Sequence, residues 1–105
     1  WARALRLRNG ISARDLAILW KSQRGRCALS GRRLGRDAEI DHKTPRARGG
    51  LDRLDNLQWV TPEANKAKRD LTDAEFMALC IDCARWIGER IEAVEAIAQQ
   101  KVEAA

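Results

Sequence analysis

A small α+β fold is predicted by three features of this 105-residue sequence. A helix-start signal at Ser12 precedes the apolar run Leu16 to Trp20, and two short strand-like segments flank a loop rich in proline and glycine. From Asp73 onward, apolar residues recur at spacings of three and four, the mark of a long helix. With 45% hydrophobic and 33% charged residues, the chain has material for one small core, so residues 1–105 are expected to form a single domain.

Each element follows from local chemistry. Ser12, followed three residues later by Asp15, matches a capping box and starts a helix over about Ala13 to Gln23, giving a helical brace within residues 1–24. Gly25, Gly31 and Gly35 break the chain into turns, with a short hairpin around Cys27 to Leu34. Ala38 to His42 reads as a strand, and Lys43 to Asn56 as a loop holding Pro45 and the pair Gly49 and Gly50. Leu57 to Val60 is the second strand. Thr61 then supplies a capping hydroxyl and Pro62 a first helical residue, so a short helix runs to about Lys68, closing a core over 25–72. Thr72 caps the last helix, which fills 73–105 with Phe76, Cys80, Cys83, Ile87, Ile91, Val94 and Ile97 on one stripe. Thirty helical residues span about 45 Å, longer than so small a domain is wide. Either this helix bends or breaks near Gly88, or its last turns pack on another chain, which makes a homo-oligomer the expectation.

The charge is uneven. Residues 1–72 carry 17 basic and 8 acidic side chains, whereas residues 73–105 carry 3 and 7, so a net +5 conceals +9 and −4. Thirteen of those 17 basic residues are arginine, whose planar fork suits phosphate oxygens, and a polyanionic partner is expected on the first two thirds. No apolar run approaches the roughly 20 residues of a membrane-spanning helix, so no membrane partner is expected. Three cysteines make no disulfide framework and favour a reducing, cytoplasmic compartment. The sequence opens on Trp1, so its native N-terminus is taken to be missing. Cys80 and Cys83 are spaced to open a zinc site but lack partners with one histidine in the chain, and the simpler reading buries both thiols on the helical stripe. Trp20 and Trp59 are expected in the core.

That one histidine, His42, follows a carboxylate in Glu39-Ile40-Asp41-His42; Asn56 lies fourteen residues on, and Asn65 nine beyond it on the short helix. Strand, loop, strand and helix would carry a carboxylate, an imidazole and carboxamides towards one point. Cys27-Ala28-Leu29-Ser30-Gly31, Asp41-His42, Arg48-Gly49-Gly50, Asn56-Leu57-Gln58, and Asn65-Lys66-Ala67-Lys68 followed by Asp70-Leu71-Thr72, resemble the HNH endonuclease family in order and spacing over about Gly25 to Phe76.

The resemblance implies a ββα-metal finger, here braced by an N-terminal and a long C-terminal helix, that hydrolyses DNA phosphodiester bonds with one divalent cation. By motif, Asp41 and Asn65 would be metal ligands, His42 the general base, and Asn56 the residue that holds the loop and helps orient the histidine. Asn65 stands where many members have histidine. An aspartate and an asparagine offer hard oxygen ligands, which suit Mg²⁺, with Mn²⁺ the alternative. The cysteine quartet of some members is missing, leaving Cys27 alone in that region. Arg46 and Arg48 on the loop, and Lys66, Lys68 and Arg69 on or after the short helix, would bind the nucleic acid. The rival function is a non-catalytic nucleic-acid-binding module on the same framework.

Overall fold

Ser12 accepts the Asp15 N–H at 3.1 Å while the Asp15 carboxylate accepts the Ser12 N–H at 3.0 Å, and this reciprocal cap starts the first helix, α1 (Ala13–Ser22). The computed structural model describes residues 10–104, so the part of the predicted N-terminal brace over residues 1–9 lies outside the described residues. Arg24 and Gly25, both left-handed with φ of 56° and 66°, reverse the chain after α1. Residues 26–38 are turns, with one isolated antiparallel bridge, Arg26 to Arg33, where the hairpin is expected.

Strand β1 (Glu39–His42) pairs antiparallel with β2 (Leu57–Val60), placing Asp41 opposite Gln58 and His42 opposite Leu57. The loop between them is more ordered than predicted, holding two 3-10 turns, Arg46–Arg48 and Leu54–Asn56. All four residues of β2 are buried, and Leu57 and Trp59 pack with Leu16 of α1. The Trp59 indole N–H donates to the Leu16 carbonyl at 2.8 Å, and its ring meets Trp20 edge-on at 5.3 Å between centroids. Both tryptophans serve the core. Gln23 closes the free edge of β2, its carboxamide donating to the Trp59 carbonyl and accepting the Trp59 N–H.

Helix α2 (Pro62–Lys68) starts as predicted, with Thr61 accepting the Ala64 N–H and Pro62 at the first helical position. Cys27 is buried against Val60 and Ala64, and its sulfur accepts the N–H groups of Ser30 and Thr61. Burial pushes this thiol up, but the hydrogen bonds from Ser30 and Thr61 outweigh it, so its pKa lies below the ordinary value.

The architecture is α+β, a two-stranded antiparallel sheet with three helices. The chain divides into two units at Asp73, where the sequence predicts one domain, and the second unit is a single helix, α3 (Asp73–Ala104). Gly88 neither breaks nor interrupts it. No described residue of α3 is buried, and its larger apolar side chains, Trp86, Ile87, Ile91, Val94 and Ile97 among them, are about half exposed or more. Cys80 and Cys83 are therefore exposed thiols, not members of a buried stripe. The three-and-four periodicity predicted the helix correctly, but periodicity alone cannot supply something for the stripe to pack on.

Candidate functional site

The site is built where β1 ends, between the loop and α2. Asp41, His42, Pro45, Arg46, Asn65, Arg69 and Asp70 line one open depression. Neighbours on a strand point to opposite faces, and that alternation separates the partners of Asp41 and His42. Asp41 turns to α2, where its Oδ2 accepts Lys68 Nζ at 2.6 Å and Gln58 Nε2 at 2.9 Å. His42 turns to the loop, where its Nε2 lies 2.7 Å from Asp52 Oδ1. Both still border the depression because the strand stops there.

Asn56 clips the loop. Its Oδ1 accepts the Thr44 N–H at 3.0 Å, and its Nδ2 donates to the carbonyls of Thr44 and Leu51 at 3.1 and 3.0 Å. All of these bonds go to backbone, which is the loop-holding half of the role expected for Asn56; the His42 ring is held by Asp52 instead. The pair Gly49 and Gly50 is required by the same closure. Gly49 adopts φ of 88°, and a Cβ on Gly50 would collide with the Thr44 and Pro45 carbonyl groups. Gly50→Ala is expected to open the loop and destabilise the protein by more than about 1 kcal/mol, whereas Gly31→Ala meets only its positive φ and no neighbouring atom. Thermal unfolding of the two variants compares them directly.

Lys68 departs from its expected role. It lies three residues after Asn65, which stays half-buried at the open depression, but the Lys68 side chain turns inward and has no exposure at all. Its ammonium is 2.6 Å from Asp41, 2.9 Å from Asp73, and 2.8 and 3.3 Å from the carbonyls of His42 and Lys43. A cation saturated by four oxygens cannot also bind a nucleic-acid phosphate, so Lys68 braces the site from within. Arg46 is also partly committed, donating from Nε to Asp52 Oδ1 and from a terminal nitrogen to Oδ2, each at 2.9 Å. That hydrogen bond to Asp52 raises the Arg46 pKa further. Arg48, Lys66 and Arg69 are exposed, and Glu39, Pro62, Asn65, Lys66 and Arg69 line a second open groove beside the first.

For a cation the available donors are oxygens. Asn65 donates its Nδ2 to Glu39 Oε1 at 2.7 Å, which leaves its carbonyl as an acceptor. Asp41 commits Oδ2 to Lys68 and Gln58, while Oδ1 has no hydrogen-bond partner among the described residues and is not sealed from solvent. Among the described residues no three His, Cys, Asp or Glu side chains cluster as a metal cage. Two hard oxygen donors in an open site suit a cation that keeps most of its waters, so the residues fit Mg²⁺ and do not fit zinc.

Asp52 and Gln58 were not among the residues predicted from sequence. A glutamine inside the apolar strand Leu57-Gln58-Trp59-Val60 is itself a signal, since a buried carboxamide needs partners. No family model matches this chain, and no curated protein matches it.

Proposed function

We propose that this chain is a metal-dependent DNA endonuclease of the HNH type, in which Asp41 and Asn65 hold one divalent cation and His42 acts as general base. The observation that carries the reading is that Asp41, His42 and Asn65, far apart in sequence, border one open depression with Arg46 and Arg69 on its rim. The order strand, strand, helix, with a clipped loop between the strands, supports the ββα-metal finger. A bound Mg²⁺ would neutralise charge on the non-bridging and leaving oxygens of the phosphodiester. His42 accepts a proton from the attacking water, a role suited to an imidazole at neutral pH. Arg48, Lys66 and Arg69 hold the DNA backbone, and Lys68 keeps Asp41 oriented.

The test is nicking of supercoiled plasmid with and without Mg²⁺, run beside a DNA-binding measurement. Mg²⁺-dependent nicking that is lost in Asp41→Ala supports the nuclease. DNA binding without cleavage in Mg²⁺ or Mn²⁺ would leave the non-catalytic binding module as the function. The exposed apolar residues of α3 support pairing with a second copy through that helix. Sedimentation is expected to show a dimer at high micromolar concentration, and a monomer throughout would refute self-association.

A further inference from the structure

His42 is the only histidine in the chain, and its surroundings distinguish its two ring nitrogens. Nε2 faces Asp52 Oδ1 at 2.7 Å. An ionised carboxylate can only accept, so the neutral ring must carry its hydrogen on Nε2 and its lone pair on Nδ1. Nδ1 makes no hydrogen bond to any described residue, and the ring keeps 15% of its surface exposed at the edge of the depression.

Asp52 is in turn fixed. Arg46 grips both of its oxygens, and the backbone just before it is pinned, by Asn56 at the Leu51 carbonyl and by the close approach of Gly50 to Thr44. Only 11% of the Asp52 side chain is exposed. A carboxylate held at both oxygens cannot rotate away from the imidazole.

We infer that Asp52 is a positioning residue, which locks His42 in the tautomer protonated at Nε2 and so makes Nδ1 the nitrogen that receives the proton, with Arg46 serving as the clamp on Asp52. The catalytic half of this inference rests on the nuclease reading; the tautomer does not. When a proton passes from water to Nδ1, the O–H bond breaks and the N–H bond forms there, and the resulting imidazolium keeps its Nε2–H on Asp52. An Asp-to-imidazole contact of this kind stabilises the charge that develops on the ring.

The experiment is imidazole nitrogen–proton NMR on the full, isotope-labelled chain at a pH where the ring is neutral, where one histidine gives one set of signals. The protein should show a proton on Nε2 protected from exchange and a lone pair on Nδ1. In Asp52→Ala the protection should be lost and single-turnover cleavage should fall at least about 10- to 100-fold, the cost of removing the partner that orients a metal-ligating imidazole. DNA affinity should stay within about twofold, and Asp52→Asn, whose carbonyl can still accept from Nε2, should restore both readouts in part. A proton found on Nδ1 in the parent protein overturns the inference. So does an Asp52→Ala variant that is folded by its backbone spectrum and keeps the protected Nε2 proton. If the parent protein cleaves no DNA, the nuclease reading fails while the tautomer assignment still stands or falls on the spectrum. If Asp52→Ala does not fold, the Asp52→Asn spectrum decides it.

Discussion

Replacing His42 by alanine is expected to lower cleavage by about 10²- to 10⁴-fold, the contribution of a positioned general base, and to leave DNA affinity nearly unchanged. No second imidazole in the chain can take over the proton. The variant should fold, because the groups that hold the loop do not depend on the ring: Asn56 still bonds Thr44 and Leu51, and Arg46 still grips Asp52. Asp41 loses nothing either, since its partners are Lys68 and Gln58. Single-turnover rates and binding isotherms measured on the same preparation check this. A rate within about threefold of the parent would remove His42 from the chemistry.

The largest effect on stability is expected from Lys68→Met. The substitution keeps the apolar stem but deletes a cation that four oxygens surround, leaving the buried Asp41 carboxylate with Gln58 but no cation. Breaking a buried ion pair from one side typically costs about 3–5 kcal/mol, much of it the penalty of the stranded charge. Urea titration should therefore show a lower midpoint with an unchanged slope. Adding Asp41→Asn to Lys68→Met should recover part of the loss, because the more buried of the two carboxylates that lose their cation, Asp41 rather than Asp73, is then neutral. Lys68→Arg should not rescue, since a planar guanidinium cannot replace a compact ammonium in a closed site. A loss under about 1 kcal/mol for Lys68→Met would mean that the network does not hold the fold.

What the sequence discloses is what local chemistry decides. Ser12 with Asp15, and Thr61 with Pro62, determine helix starts within one turn of chain, and both caps form as read. The two strands were legible because loops and glycines bracket them, to within one residue for Glu39–His42 and at both ends for Leu57–Val60. Asp41, His42 and Asn65 were legible as a constellation and do share a depression. What was hidden depends on partners far apart in sequence. Lys68 lies 27 residues from Asp41, and a helical spacing says which residues share a face but not which faces are buried. Asp52 looks like any loop carboxylate until the loop closes and brings it to a histidine ten residues earlier. Helix α3 shows the converse, a pattern that predicted burial where none of its described residues is buried.

The edge contact between Trp20 and Trp59 gives the protein an optical signature. Trp59 is 1% exposed and Trp86 is 63% exposed, so their environments lie at opposite ends of the polarity range to which indole emission responds. The Trp59 indole, hydrogen-bonded to Leu16 and abutting Trp20, should emit at short wavelength and shift to the red only when the core around β2 opens. Trp86 should emit to the red from the start and be the more readily quenched by added iodide. Loss of core structure moves the first signal, and coverage of α3 by a second copy moves the second in the opposite direction. Emission wavelength therefore separates unfolding from association in one cuvette, without a label.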